Sequence, residues 1–328
     1  MDARDYIGEK SRTLEGRIYG EIPKEPRFIY SMLEEFISRG GKRIRPILTI
    51  ACAEACGGKE EDAMPYALAI ELFHNFTLVH DDIEDASPMR RGKPTLHEQF
   101  GTPIAINSGD ALYTVVWSSL LSKNIPPEKF AEASKILIKG FSAVVEGQGT
   151  ELEWYRINKF DVSEEDYFKM AGGKTGSLIG ISCQIGAFAA GAPRQVQDSL
   201  SEFGEKIGLA FQIKDDILNL TADPEKYKKE IGEDIKEGKR SLIMLKLLSV
   251  LDRGEKERVI SILAKPEKSE EEVSKLIELA KEKGAIAYAQ EVSDGLIGEA
   301  KARLQTLDSE SGRETLLMLA DYIVRRQK

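Results

Sequence analysis

The chain has 328 residues, a length that allows one large helical domain or two domains of ordinary size. With 41% hydrophobic and 31% charged residues, it falls outside the disordered, collagen-like and membrane-spanning classes. The net charge of -9 argues against a nucleic-acid partner, because binding a phosphate backbone needs a clustered basic surface. Three cysteines are too few for a disulfide framework, and no apolar stretch approaches the ~18 residues of a membrane span. We therefore expect a cytoplasmic protein without a membrane span.

Helical periodicity dominates the sequence. Apolar residues recur every three or four positions, as in Val273, Leu276 and Ala280, whereas alternation with period two is rare. No repeat, low-complexity tract or long linker divides the chain. The pattern predicts an all-α fold in a single domain that covers residues 1–328. The predicted helices span residues 25–39, 45–56, 63–86, 103–122, 127–156, 163–190, 194–220, 241–251, 255–264, 269–283, 285–306 and 310–326.

A glycine-rich turn with basic side chains precedes the second predicted helix. Its sequence is GGKRIRP, residues 40–46. Free backbone N–H groups at a helix N-terminus, together with lysine and arginine side chains, favour the binding of an anion. The turn is therefore a candidate anion site.

An acidic cluster, DDIED at residues 81–85, closes the third predicted helix. Asp81 and Asp85 share a helix face, and adjacent carboxylates at the negative end of the helix dipole repel one another. Oxygen ligands on a rigid helix suit Mg²⁺, which is usually completed by water and substrate phosphates. Beyond the cluster, Arg90 and Arg91 offer the fork geometry that phosphate oxygens accept. The alternative is a solvated acidic helix end.

A second acidic cluster, DDILN at residues 215–219, also closes an apolar helix. Lys229 and Lys239 lie in the polar segment that follows it. Two carboxylate clusters, each followed by a basic loop, are expected if metal ions bridge both clusters to a diphosphate. Coincidental acidic helix ends would not need matching cationic loops.

The segment Gly173-Lys174-Thr175 resembles the end of a nucleotide-binding P-loop. That motif requires glycine at position 168, where this chain has Phe168, and it also requires a preceding strand. The P-loop is therefore excluded. A Lys-Thr pair between two apolar helical stretches instead predicts a kink that aims polar groups into a cavity.

These motifs occur in an order that resembles the trans-isoprenyl diphosphate synthases, the family of farnesyl and geranylgeranyl diphosphate synthases. The resemblance covers nearly the whole chain. It implies an all-α helical bundle, mostly homodimeric, with substrates in a central cavity between two Asp-rich helices. The matching segments are GGKRIRP, LFHNFTLVHDDIED, RRGKPTLH, INSGDALY, EGQGTELEW, GGKTGSL, GLAFQIKDDILNL and KKEIGEDIKEGKRSL.

The resemblance also implies roles for individual residues. Mg²⁺ and the allylic diphosphate are assigned to five aspartates: Asp81, Asp82, Asp85, Asp215 and Asp216. The allylic diphosphate is further assigned to Arg90, Lys174 and Lys229, with Lys239 nearby. The diphosphate of isopentenyl diphosphate is assigned to Lys42, Arg45, His74 and Arg91. Thr175 and Gln212 are expected to face the developing allylic cation, and Asn219 departs from the strict pattern, which has Asp there.

The implied reaction is a Mg²⁺-dependent prenyl transfer that joins isopentenyl diphosphate to dimethylallyl, geranyl or farnesyl diphosphate. Each added unit brings five carbons, worth up to ~4 kcal/mol of burial, so only a steric stop limits the chain. Thr77 lies about one turn below Asp81, and Phe76 lies beside it. One aromatic residue there and an uninterrupted DDIED resemble the archaeal type of geranylgeranyl synthase. We therefore expect geranylgeranyl diphosphate as the main product; a farnesyl or bifunctional synthase is the alternative.

Four other classes compete with this interpretation. Glu71-x-x-His74 has the ligand spacing of di-iron helical bundles, but that site needs the spacing twice, and His80 and His97 lack it. A terpene cyclase shares the first acidic cluster but does not need a second diphosphate site. A non-catalytic binding partner of a synthase would be expected to lose aspartates, and both clusters are substantially intact. A metal-binding helical bundle without synthase activity stays a distant alternative.

Overall fold

The computed structural model describes residues 2–222 and 231–324, and in this part of the chain nearly all regular structure is helical. The predicted all-α class is therefore confirmed. Within the same residues, no helix is both long enough and apolar enough to cross a membrane. The single-domain boundary and the central cavity stay predictions.

The first half of the chain forms seven helices and one small hairpin. Strands β1 (Met89–Arg90) and β2 (Lys93–Pro94) pair antiparallel, with Met89 opposite Pro94 and Arg90 opposite Lys93. The helices are α1 (Ala3–Glu21), α2 (Arg27–Ser38), α3 (Ile44–Ala55), α4 (Glu60–Glu84), α5 (Leu96–Phe100), α6 (Thr102–Leu121) and α7 (Pro127–Arg156).

The second half is helical throughout its described residues. A π-helical turn (Gly172–Gly176) separates α8 from α9, and a 3₁₀ turn (Leu304–Thr306) follows α15. The helices are α8 (Glu164–Ala171), α9 (Ser177–Ala189), α10 (Arg194–Thr221), α11 (Glu233–Glu237), α12 (Leu242–Val250), α13 (Arg253–Leu263), α14 (Glu270–Glu282), α15 (Ala285–Arg303) and α16 (Glu310–Val324).

Most predicted helix boundaries agree with the structure to within three residues, but four elements were missed. Helix α1 is mostly polar and is held by tertiary contacts, since Lys10 Nζ donates to Glu54 Oε1 at 2.5 Å and to Glu60 Oε2 at 2.6 Å. Helix α5, helix α11 and the hairpin are too short to show periodicity.

Two predicted helices differ from the structure in detail. Helix α4 begins at Glu60 rather than at residue 63, so Pro65 lies inside it; the acidic first turn favours the earlier start because it complements the helix dipole. The predicted helix 163–190 is interrupted by the π-helical turn, which confirms a local irregularity at Gly173-Lys174-Thr175.

The described chain divides into two compact units. The first contains the described residues up to Ile138, together with Ile181–Leu200 and Thr306–Leu319. In this unit α4 packs against α3 and α6. A Cβ on Gly109 of α6 would lie 2.2 Å from His80 Nε2, so the His80 ring packs directly against the bare backbone of α6 at this point.

The second unit contains the rest of the described chain. Its hydrophobic core includes Trp154, Tyr167 and Leu247, and α12 packs against α14 and α15. A Cβ on Gly147 of α7 would lie 2.3 Å from the backbone nitrogen of Lys174. Glycine at this position therefore lets the π-helical turn lie directly against α7.

Candidate functional site

The predicted site residues fall in two polar regions, one in each unit. The first polar region comprises residues 40–45, 71–85 and 90–91. The second polar region comprises residues 151, 167, 174–175, 212–219 and 234–240.

The glycine-rich turn of the first polar region leads directly into α3. Gly40 and Gly41 have φ values of 80° and 148°, which favour glycine. A Cβ on Gly41 would lie 2.9 Å from Arg91 Nη2, so the guanidinium of Arg91 packs against the bare backbone of the turn. Lys42 is exposed, and Arg45 is half-buried in the first turn of α3. The N-terminus of α3 therefore has three of the predicted cations around it: Lys42, Arg45 and Arg91.

His74 lies beside Arg45, with 3.2 Å between His74 Nε2 and Arg45 Nη1. A guanidinium only donates hydrogen bonds, so Nε2 is the acceptor and the ring proton is on Nδ1. Burial lowers the pKa of His74 well below its ordinary value, and nearby Arg45, Arg91, Arg90 and Arg43 lower it further. His74 is therefore a neutral acceptor inside a cationic cluster.

The first acidic cluster lies at the C-terminal end of α4, as predicted. Asp82 is 1% exposed, and its Oδ1 accepts a hydrogen bond from Arg90 Nε. Its Oδ2 is buried and has no hydrogen-bond partner within residues 2–222 and 231–324. Burial raises the pKa of Asp82, and Arg90 opposes that rise. Asp81 is half-buried and Asp85 is exposed.

The β1–β2 hairpin that carries Arg90 is tied back to α2. Arg39 Nη1 donates to the carbonyl of Pro94 at 2.8 Å, and Lys93 Nζ donates to Glu35 Oε1 at 2.7 Å. Thr95 Oγ1 also donates to the carbonyl of Ser87 at 2.9 Å. These contacts give Arg90 and Arg91 fixed backbone positions.

The predicted chain-length residues lie one turn before the aspartates on α4. The ring of Phe76 lies 5.3 Å from that of Tyr113 on α6 and 5.4 Å from that of Phe73. Thr77 is half-buried, and its Oγ1 donates to the carbonyl of His74 at 2.8 Å. Phe76 therefore belongs to an aromatic cluster between α4 and α6.

Lys174 lies in the π-helical turn of the second polar region. Its Nζ donates to Glu151 Oε2 on α7 at 2.5 Å. Short π-helical turns are often found at functional sites because they re-aim the side chains they contain. Here the turn directs Lys174 toward a carboxylate of the EGQGTELEW segment.

A chain of hydrogen bonds connects the other predicted residues of this region. Thr175 Oγ1 donates to Gln212 Oε1 at 3.0 Å, and Gln212 Nε2 donates to Asp216 Oδ1 at 3.0 Å. Tyr167 Oη donates to Asp216 Oδ2 at 3.3 Å. Burial raises the pKa of Asp216 well above its usual range, and the nearby charge of Asp234 raises it further. Both oxygens of Asp216 therefore accept hydrogen bonds from the protein, whereas Asp215 is half-exposed.

Asn219, which departs from the family pattern, has a structural partner. It is 2% exposed, and its Oδ1 accepts a hydrogen bond from the backbone N–H of Asp234 at 3.2 Å. Asp234 in turn accepts from Lys239 Nζ at 2.7 Å. The amide therefore holds the start of α11, which carries the carboxylate that binds Lys239. Lys229 lies outside the described residues.

The donor atoms of the two acidic clusters are carboxylate oxygens, which suit a hard cation such as Mg²⁺. The buried, unpartnered Oδ2 of Asp82 also fits a cation. Across residues 2–222 and 231–324, no group of three or more acidic, His or Cys side chains is assembled closely enough to hold a metal ion by itself. The residues therefore fit a metal whose coordination sphere is completed by other oxygens.

Several polar residues at these regions were missed. Arg43, Glu151, Tyr167 and Asp234 had no assigned role, although Arg43, Glu151 and Asp234 lie within quoted motifs. Glu71 was considered only as a di-iron ligand, and it instead accepts a hydrogen bond from Arg43. Tyr167 lies outside these motifs, and only the fold brings it near Asp216.

Comparison with known proteins agrees with these observations. The sequence model of the polyprenyl synthetase family matches residues 26–280. The short chain isoprenyl diphosphate synthase of Methanothermobacter thermautotrophicus is 36% identical over 328 residues, covering 100% of this chain and 99% of that protein. A geranylfarnesyl diphosphate synthase of Aeropyrum pernix is 35% identical over 300 residues, covering 89% of this chain and 92% of that protein.

A solved structure shows the same fold. The geranylgeranyl pyrophosphate synthetase of Pyrococcus horikoshii OT3 superimposes with a TM-score of 0.91 at 37% identity, covering 98% of this chain and 97% of that one. The family match and these relatives extend over both polar regions. The chain therefore belongs to the polyprenyl synthetase family and is a trans-isoprenyl diphosphate synthase.

Proposed function

We propose that this prenyltransferase condenses isopentenyl diphosphate with allylic diphosphates in a 1'-4 linkage and makes mainly geranylgeranyl diphosphate. The observation that carries the proposal is the cluster of arginines around neutral His74, next to the aspartates of α4. Such a cluster suits a diphosphate, because arginine forks match phosphate oxygens.

Isopentenyl diphosphate binds through Lys42, Arg45, His74 and Arg91 in this proposal. Arg45 Nε is buried and has no hydrogen-bond partner in the part of the chain that the structure describes, so a phosphate oxygen supplies a missing acceptor. The Nδ1–H of neutral His74 donates to the same diphosphate without adding a positive charge that would repel the neighbouring arginines.

The allylic diphosphate is held by Arg90, Lys174, Lys229 and Lys239, and by Mg²⁺ bound to Asp81, Asp82, Asp85, Asp215 and Asp216. When bound there, Mg²⁺ neutralises charge on the leaving diphosphate. The carbon–oxygen bond of the allylic substrate breaks and releases diphosphate, the isopentenyl double bond attacks the allylic carbon, and the released diphosphate takes the proton whose loss restores an alkene. The protein contributes positioning and charge neutralisation.

Thr175 and Gln212 face the allylic cation in this proposal. Their oxygen atoms carry partial negative charge, and their hydrogen bond to each other is fixed by Asp216. Because the Gln212 amide donates to Asp216, its Oε1 is turned toward Thr175. The pair therefore presents oriented dipoles whose oxygen atoms can stabilise positive charge on the cation.

Phe76 limits product length in this proposal. Its packing against Tyr113 restrains the ring, and a restrained ring is the kind of steric stop that a hydrophobic tunnel needs. The second candidate function is synthesis of a longer, twenty-five-carbon product, because one relative is named as a geranylfarnesyl diphosphate synthase. We also propose that the protein acts as a cytoplasmic homodimer.

Product analysis tests the proposal. Purified protein would be incubated with labelled isopentenyl diphosphate, Mg²⁺ and dimethylallyl, geranyl or farnesyl diphosphate separately, and the dephosphorylated products would be sized. We expect a twenty-carbon main product from all three primers. A twenty-five-carbon main product supports the second candidate, and the absence of any condensation contradicts both.

A further inference from the structure

A buried ion pair in the first polar region has no role in the proposed function. Arg43 is 4% exposed and Glu71 is 2% exposed, and Arg43 Nη1 donates to Glu71 Oε1 at 2.5 Å. Burying two opposite charges costs desolvation energy that their attraction repays only in part. Stability alone is therefore a weak explanation for this pair.

The pair connects three helices of the first unit. Arg43 Nη2 donates to the carbonyl of Ile37 at the end of α2 at 2.8 Å. Glu71 Oε1 also accepts from Asn75 Nδ2 at 3.0 Å, and Asn75 Nδ2 lies 2.8 Å from the carbonyl of Glu71. The ion pair therefore ties the start of α3 to α2 and to the middle of α4.

The backbone at Arg43 turns its side chain away from those of its neighbours. Arg43 has φ 49° and ψ 30°, a left-handed conformation that is uncommon for a residue other than glycine. Its side chain is buried, whereas Lys42 is exposed and Arg45 is half-buried. Conformations of this kind persist where surrounding contacts hold them, and the contacts here are those to Glu71 and Ile37.

The charges of the pair lie within the cation cluster. Arg43 is one of the four arginines that act on His74, and the charge of Glu71 acts on Arg45. Because Glu71 takes a direct hydrogen bond from Arg43, the charge of Arg43 is balanced inside the protein. Lys42 and Arg45 can then serve a ligand while Arg43 serves the fold of the turn.

We propose that the Arg43–Glu71 ion pair is a positioning pair for isopentenyl diphosphate, holding residues 40–45 so that Lys42 and Arg45 present their cations to its diphosphate. This inference rests on the proposed function. Neither Arg43 nor Glu71 touches the substrate. Their loss therefore weakens binding of one substrate through the placement of other residues.

The test compares Glu71→Gln, Arg43→Met and the double variant with the wild-type enzyme. Each single variant leaves one buried partner behind, so we expect a lower melting temperature. The double variant removes both charges and should recover most of that loss, because no unpaired charge stays buried and the glutamine oxygen can still accept from Asn75 Nδ2. If the pair positions the turn, the double variant still has a KM for isopentenyl diphosphate raised about 10-fold, with the allylic KM changed less than about 2-fold.

The other outcomes overturn the inference. A double variant that recovers both its melting temperature and its KM for isopentenyl diphosphate makes the pair purely structural, and an equal rise in both KM values indicates general loosening. If the double variant does not fold, Arg43→Lys is used instead, because lysine keeps the charge pair but cannot also donate to the carbonyl of Ile37. A raised KM for isopentenyl diphosphate in this variant supports the inference. An unchanged KM contradicts it. A wild-type enzyme without turnover instead contradicts the proposed function.

Discussion

The two polar regions differ in how completely their hydrogen bonds are satisfied inside the protein. In the first region, Arg43 Nε, Arg45 Nε, Asn75 Oδ1 and Asp82 Oδ2 are buried and lack a hydrogen-bond partner anywhere in residues 2–222 and 231–324. In the second region, both oxygens of Asp216 accept hydrogen bonds, and Lys174 and Lys239 each have a carboxylate partner. Buried polar atoms usually have partners, so we expect Arg45 Nε and Asp82 Oδ2 to meet groups that come from outside the chain.

A binding site can leave its hydrogen-bonding groups open for a ligand or satisfy them inside the protein. Open donors and acceptors bind a ligand without first breaking internal contacts, but they cost stability in its absence. A closed network is stable by itself, and in the proposed function its lysines would have to leave an internal carboxylate in order to bind a ligand. Outside the buried Arg43–Glu71 pair, we therefore expect substitutions in the first region to affect binding or rate, and substitutions in the second region to affect stability as well.

The largest effect on the reaction rate is expected for the aspartates at the C-terminal end of α4. Asp81→Ala should lower kcat about 10³-fold, because a carboxylate that holds a metal on the leaving group acts mainly in the transition state. Excess chelator should abolish turnover and added Mg²⁺ should restore it. Glu84→Ala is the matched control, since Glu84 is exposed at the same helix end. Rates are measured by incorporation of labelled isopentenyl diphosphate, and full activity of Asp81→Ala in chelator would contradict the metal assignment.

The next effect concerns substrate binding at the start of α3. Arg45→Ala and Lys42→Ala should each raise the KM for isopentenyl diphosphate about 10- to 100-fold, since a charge-assisted contact is worth roughly 1.5–3 kcal/mol. Lys24→Ala is a control that removes an exposed cation of the same unit outside the polar region. Steady-state kinetics with each substrate varied in turn measure the effect. Equal weakening of both substrates would mean that the two diphosphates are misassigned.

Loss of a hydrogen-bonding side chain should have different effects on the free energy of unfolding at Tyr167 of the second region and at Arg45 of the first region. Tyr167→Phe removes the donor to Asp216 Oδ2 and should lower the free energy of unfolding by about 1–3 kcal/mol, because a buried acceptor loses its partner. Arg45→Ala removes a buried guanidinium with an unpartnered Nε and should leave the free energy of unfolding unchanged or higher. Urea denaturation compares the two variants, and a larger loss for Arg45→Ala would reverse the distinction between an open and a closed region.

Product length is a test inside the first region. Phe76→Ala should lengthen the products, because it removes the ring that packs against Tyr113, and Thr77→Phe should shorten them toward fifteen carbons. Leu78→Ala is a neighbouring control on α4. Chromatography of dephosphorylated products measures the change. If both variants kept the wild-type lengths, the end of the product tunnel would lie elsewhere, for example on α6.

The smallest effect concerns the protonation of His74. Its pKa in the folded protein is lowered, so the stability that neutral His74 contributes is present above its unfolded pKa of about 6.5 and is lost as pH falls from that value through the lower folded pKa. We expect NMR of the ring nitrogens to show a neutral imidazole at pH 6. Binding of inorganic diphosphate should raise the pKa, since an anion offsets the arginines. A His74 that titrates near 6.5 would contradict the cationic cluster.

Much of the fold and part of the site could be predicted from local sequence. The long helices were found because their apolar residues repeat with helical period, and the acidic clusters were found because DDIED and DDILN stand at helix ends. The interruption at Gly173-Lys174-Thr175 was also expected. Helix α1 was missed because ion pairs to distant residues, rather than its own pattern, stabilise it.

The sequence by itself determined the helical class, the positions of both acidic clusters and the family, since each depends on residues that are adjacent along the chain. Only the tertiary structure decided the partners of the buried polar groups. Glu71 had the spacing of a di-iron ligand and proved to bind Arg43, while Asn219 proved to hold Asp234. Glu71 is separated from Arg43 by 28 residues and Asn219 from Asp234 by 15, so no local pattern relates them and only folding brings them within hydrogen-bond distance.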